Sequence, residues 1–182
     1  MDNLKNIGNL ETLKNVPQEI IPEVSVSDIR QENILKGLGM KKTDAEDYFI
    51  DMISELIDKS LQLVEPKTGF ILYDDVEVII PNYKIRISDT VFDTGKIVTS
   101  LLKKSEVIIV FACTSGNKVE KLSKDLMKQG HSLEGLIVDL IGSDIAEAIA
   151  EYLHNYIESI LREFGMNVSN RYSPGYCNWN VQ

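Results

Sequence analysis

Arg171-Tyr172-Ser173-Pro174-Gly175-Tyr176-Cys177-Asn178-Trp179 gathers a guanidinium, two tyrosines and a tryptophan around a segment that cannot be helical. Pro174 has no amide hydrogen and biases Ser173 toward extended backbone. Gly175 allows a positive φ or a close backbone approach by a ligand. An arginine can grip a carboxylate in a forked geometry, and aromatic faces can stack on a flat or cationic ligand. The plain alternative is a surface turn whose aromatics fold back on the core.

A second polar set, Asp144, Glu147, Glu151 and His154, is spaced three, four and three and so lines one side of a helix. Glu151-x-x-His154 is half of a di-metal carboxylate signature. The other half is missing, because His131 has no glutamate three residues before it. No metal site is expected, and a solvated helix face is the reading for Asp144 and Glu151. Thr114-Ser115-Gly116 links an apolar run to a helix start, a layout that can bind an anion. It lacks the glycine spacing of a dinucleotide fingerprint and the Gly-Lys of a P-loop, so it reads as a close strand-to-helix turn. No Ser-His-Asp or Cys-His set is present, so no catalytic residue is assigned.

The elements that must position these residues follow from periodicity. Ile145 and its neighbours belong to a long helix, 132–164, capped by Ser132, with thirteen apolar positions from Leu136 to Leu161 and tolerated glycines at 135 and 142. A helix from Asn117 to Lys128 turns Val119, Leu122, Leu126 and Met127 inward and ends at Gly130. Glu106–Ala112 is a continuous apolar run and reads as a central strand buried on both faces. Phe70–Tyr73 and Val76–Ile80 read as strands. A hairpin joins the second of these to Tyr83–Ile87 through Pro81-Asn82, and Ser88 to Thr90 end it. A helix over Thr94–Lys104 points Ile97, Val98, Leu101 and Leu102 inward.

Upstream, Thr43 with Glu46 makes a capping box for a helix over 43–65. Its stripe is Tyr48, Phe49, Met52, Ile53, Leu56, Ile57, Ser60, Leu61 and Val64, and Pro66 ends it. Ser27 caps a short helix, Asp28 to Leu38, stopping near Gly37 and Gly39. The expected fold is α+β: a single domain with a twisted, mainly antiparallel sheet packed by long helices. Residues 1–42 form an N-terminal extension and short helix, and 43–182 form the core.

Composition bounds the function. The chain has 182 residues, 43% hydrophobic and 26% charged, enough for one domain with a real core. Its formal net charge of −9 argues against a nucleic-acid partner. Two cysteines are too few for a disulfide framework or zinc site, and Cys113 reads as a small core residue. Neither a signal peptide nor a membrane-length apolar run is evident, so the expected location is cytoplasmic, with no membrane partner.

The helix Ile145-Ala146-Glu147-Ala148-Ile149-Ala150-Glu151-Tyr152-Leu153-His154, followed by R-x-S-P-G-Y, resembles the activation domain of cobalamin-dependent methionine synthase. That family carries A-E-A-x-A-E-x-L-H before R-P-A-P-G-Y or R-x-S-P-G-Y. A third match is Phe111-Ala112-Cys113-Thr114-Ser115-Gly116, where the family has F-A-x-T-x-G. The likeness covers roughly Glu106 to Tyr176.

The resemblance implies a bound S-adenosylmethionine. Glu147 would face the ligand's α-amino group, and Arg171 would take its α-carboxylate. Backbone groups of Tyr172, Ser173 and Gly175 would meet the adenine edge, and Tyr176 would stack or donate its hydroxyl. It further implies a cobalamin carried by a partner, a corrinoid-binding methionine synthase module, with an electron donor such as flavodoxin driving reductive methylation of oxidised cobalt. The chain would then work in trans as a stand-alone relative within a methionine synthase system. Family members continue for some dozens of residues past R-x-S-P-G-Y, so the resemblance implies a core lacking the family's C-terminal segment. The competing reading is a non-catalytic interaction domain that kept the fold and lost the ligand.

Overall fold

The structure, a computed structural model, describes residues 10–25 and 28–181. Its longest element is helix α5, Ser132–Glu163. Ile137, Ile141, Ile145, Ile149, Leu153, Ile157 and Leu161 are all buried along it, at a strict four-residue interval. Four residues turn an α-helix through about 400°, so each buried side chain is displaced about 40° from the last. The apolar row therefore winds around the helix.

The remaining helices are α1 (Gln31–Gly37), α2 (Asp47–Leu61), α3 (Gly95–Leu102) and α4 (Lys118–Lys128). The strands are β1 (Gln18–Ile20), β2 (Lys67–Tyr73), β3 (Val76–Ile79), β4 (Lys84–Ile87), β5 (Thr90–Phe92) and β6 (Ile108–Thr114). The class is α+β, as expected. The described strands form two three-stranded sheets, ordered β1-β2-β6 and β3-β4-β5.

The chain divides into two compact units that interleave in sequence. One comprises residues up to Gln18, Gly69–Ala112 and the chain from Ile157 on; the other comprises Glu19–Thr68 and Cys113–Tyr156. The dividing points fall inside β1, β2, β6 and α5.

The second unit holds an apolar cluster built from α1, α2, α4 and α5. Ile34, Leu35, Ile53, Ile57, Val119, Ile137, Val138, Ile141, Ile145 and Ile149 are its most buried members. Each such side chain contributes about 1.5–3 kcal/mol relative to exposure. Helix α1 has no capping side chain of its own. Asp144 on α5 supplies one: a carboxylate oxygen accepts from the Arg30 amide at 2.8 Å and the other from the Asn33 side-chain amide at 2.6 Å. Just past the ends of α1 and α4 stands a glycine at positive φ, Gly39 and Gly130, whose own amide and that of the next residue donate to the last-turn carbonyls.

In the first unit, β3 and β4 pair antiparallel with Val76 opposite Ile87 and Ile79 opposite Lys84. β4 then turns into β5, with Ile85 opposite Phe92. Arg86 bridges this sheet, donating to Glu77, Asp75 and the Ser88 carbonyl. Lys14 pairs with Asp74 at 2.9 Å, and the Asn15 amide donates to the Leu72 carbonyl.

Several sequence expectations are corrected. β6 is an edge strand of its sheet rather than a central one, and past Ile108 its residues alternate between half-buried and exposed. An unbroken apolar run satisfies strand propensity on both faces and does not reveal which face is covered. The hairpin gains a third strand, because Ser88 at φ +50 turns the chain into Thr90–Phe92. The capping box at Thr43 does not form. Lys42–Asp44 makes a 3-10 turn, the Thr43 hydroxyl donates to Asp44, and α2 starts at Asp47 without a side-chain cap. Tyr48, Ile97, Leu101 and Met127 are exposed rather than inward. Asp144 is the anchor of α1, not a solvated position. The Ser27 cap lies outside the described residues.

Candidate functional site

The Arg171–Trp179 stretch follows α5, which ends with Gly165 at φ +71. The Tyr176 amide donates to the Ser173 carbonyl at 3.2 Å, with Gly175 at φ +96. Proline then glycine at the two central positions, with a positive φ at the second, make this a type II turn. The next four residues turn again. The Trp179 amide donates to the Tyr176 carbonyl at 2.9 Å, and Cys177 and Asn178 have φ +51 and +65. Two successive positive φ values are what a type I′ turn requires. The Gly175 amide donates to the Trp179 carbonyl at 2.7 Å and closes the pair.

This double turn is held against the same unit. The Trp179 ring meets Phe92 of β5 edge-on, with centroids 6.5 Å apart and planes at 81°. The Asn178 carbonyl oxygen lies 2.7 Å from where a Cβ on Gly95 would stand.

The expected site residues fall as follows. Arg171 and Tyr172 are half-buried, and Ser173, Gly175 and Tyr176 are exposed. Tyr176 is 70% exposed. Of the turn's amides, those of Gly175 and Tyr176 are already donated within the chain. Glu147 is exposed on α5 and belongs to the second unit, whereas Arg171–Tyr176 belong to the first. Among the described residues, no group of three or more histidine, cysteine, aspartate or glutamate side chains is placed to hold a metal. No helix among them is long and apolar enough to cross a membrane.

The Thr114-Ser115-Gly116 turn is satisfied by the protein. The Gly116 amide donates to the Thr114 hydroxyl at 3.1 Å, and the Glu65 amide donates to the Ser115 carbonyl at 2.9 Å. The Glu65 carboxylate sits with Lys118 over the start of α4. An open groove of about 260 Å³ beside it is walled by Ser115, Val119, Glu120, Asp139 and Ala146, among others. Its formal charges are both negative, which disfavours an anion there.

Sequence reasoning missed the anchors of the double turn. Gly95 and Phe92 lie far from it in the chain, and the left-handed pair Cys177-Asn178 has no strong glycine signal.

An α+β chain of this arrangement has a solved counterpart. The crystal structure of the MetH reactivation domain bound to AdoHcy is similar to it, with a TM-score of 0.59 at 17% sequence identity. The match covers 90% of this chain and 65% of that one. At this identity the likeness shows the fold alone. No protein-family model matches the chain, and no curated protein matches it either.

Proposed function

We propose that this chain binds S-adenosylmethionine and supports the reductive reactivation of a cobalamin carried by a corrinoid-binding module. One observation carries the reading: on a fold shared with an AdoHcy-bound reactivation domain, the R-x-S-P-G-Y segment forms a tight, docked turn. That turn is short, fixed at both ends and open to solvent, which suits a ligand approached by backbone and side chains together.

Arg171 takes the ligand's carboxylate through its forked donors. Tyr172, Ser173 and the Gly175 carbonyl meet the adenine edge. Tyr176, with most of its ring exposed, stacks on the ligand or donates its hydroxyl. Glu147 is proposed as the carboxylate for a ligand amino group and is tested on its own by Glu147→Gln. When bound, S-adenosylmethionine supplies a methyl group on a sulfonium. The chain's own residues position that ligand and bias the local charge. The corrinoid module of a methionine synthase and a flavodoxin-type electron donor are the proposed partners.

Calorimetric titration with S-adenosylmethionine and S-adenosylhomocysteine tests this. Saturable binding to the wild type, lost in Arg171→Ala, is expected. Absence of heat with both ligands in the wild type would overturn it. That outcome would favour the second reading, an interaction domain without ligand. The exposure of Ile97 at 43% and Leu101 at 54% on α3 speaks for that reading, since such side chains suit a protein surface that is covered by a partner.

A further inference from the structure

We propose that Phe92, Gly95 and Trp179 form a latch that positions the Ser173–Tyr176 turn, making them positioning residues for whatever that turn binds. The proposal rests on the reading above that the turn receives the ligand, but closure of the latch is measurable with no ligand present.

Trp179 is tied to the turn twice through its backbone. Its carbonyl accepts from the Gly175 amide at 2.7 Å, and its amide donates to the Tyr176 carbonyl at 2.9 Å. Its ring rests edge-on against Phe92. One residue thus joins the turn to β5. A second attachment runs through Asn178, whose carbonyl oxygen occupies the space a side chain on Gly95 would need. Gly95 is constrained twice, by that 2.7 Å approach and by its own φ of +69.

Cys177 and Asn178 sit between the two attachments at positive φ. Asparagine tolerates that region; cysteine does so rarely. Such a pair persists only where its surroundings over-determine it, and here the surroundings are the two attachments. Releasing either one frees the second turn, and the first turn then loses the hydrogen bond from Gly175. A ligand that needs the closed form would then see only the fraction of molecules still closed.

Trp179 is the single tryptophan of the chain, so its emission reports the latch directly. In Gly95→Ala the emission should shift to the red and acrylamide quenching should rise. Affinity for S-adenosylhomocysteine should fall about tenfold if the latch is open nine-tenths of the time. Phe92→Leu leaves the backbone untouched and should do the same, which guards against a fold lost in Gly95→Ala; circular dichroism checks both. Trp179→Ala should weaken binding similarly, and Trp179→Phe, which keeps a ring on Phe92, should restore it.

Unchanged emission and quenching in both Gly95→Ala and Phe92→Leu would show that no latch exists. A clear emission change with unaltered affinity would show a latch that positions nothing. If the wild type binds no S-adenosylhomocysteine, the ligand reading fails and the latch loses its binding role. The emission comparison would still decide whether Phe92 and Gly95 hold the turn.

Discussion

Spacing alone puts Ser60 on the apolar stripe of its helix, and it is fully buried there, yet its hydroxyl has no hydrogen-bond partner among the described residues. Burying an unpaired hydroxyl costs about 1–3 kcal/mol. Ser60→Ala should therefore raise stability by about 1 kcal/mol in urea unfolding; a loss would show that the hydroxyl is satisfied. Two glycines of α5 make a second contrast. Periodicity treats Gly135 and Gly142 alike, as tolerated interruptions. At Gly135 a Cβ would come within 2.5 Å of Met127 Cγ and 3.0 Å of the Ser123 carbonyl, which belongs to α4 backbone; at Gly142 it would meet only Val119 Cγ1, at 3.4 Å. Gly142→Ala should be neutral or stabilise by up to about 1 kcal/mol, the helix-propensity gain. Gly135→Ala should destabilise despite the same gain. Close approach of this kind is a tertiary fact and leaves no mark in spacing. Lys14 and Asp74 give a pH signature. The Lys14 ammonium holds the Asp74 carboxyl below its usual range, and Lys14 is itself raised, first by Glu11 and then by Asp74. Asp74's contribution is present above the ordinary carboxylate range and fades as pH falls through its lowered value. Lys14's is present below its ordinary value of 10.5 and fades as pH rises through its raised one. Asp74→Asn should flatten the acid limb of a stability-against-pH curve below about pH 4.

The helices were legible because a long 3.6-residue period is hard to mistake, and α5 matches its expected span to within a residue. What periodicity could not show was how α5 is used. Apart from Val138, its buried row advances by four rather than alternating three and four, so the covered side changes along its length. Ile137 to Ile149 lie in the apolar cluster of the second unit, whereas Ile157 and Leu161 belong to the first. Ile145→Ala should cost about 2–5 kcal/mol, the range for deleting a buried isoleucine side chain beyond Cβ. α1 shows the converse. Its cap comes from Asp144, over a hundred residues away in sequence. Asp144→Ala should lose about 1 kcal/mol, as for other lost caps, and Asp144→Asn should retain part of it; equal stability of all three chains in denaturant would refute the capping role. β5 and the edge position of β6 were not legible, since strand order is set by pairing partners rather than by the strand's own residues. The double turn was legible in its first half, where Pro174-Gly175 names the turn type, and silent in its second.

At the scale of the whole molecule, the α+β class and the likeness to a reactivation domain agree with what the linked motifs implied, and the fold is where that agreement is firm. Ligand binding would add a measurable term. At a hundred times the dissociation constant, S-adenosylhomocysteine should stabilise the chain by about 2.7 kcal/mol, seen as a higher melting temperature that Arg171→Ala loses. Because β1, β2, β6 and α5 each contribute residues to both units, thermal unfolding should be a single cooperative transition; two separated steps would show that the units melt independently. The interleaving also has a consequence for biosynthesis. All residues of the second unit have been made once the chain reaches Tyr156, but the first unit lacks its third stretch until synthesis passes Trp179. Phe92 and Gly95 are translated long before the residues they hold. A nascent chain therefore holds every residue of the second unit before the first unit receives its third stretch, and the Arg171–Trp179 double turn follows them all.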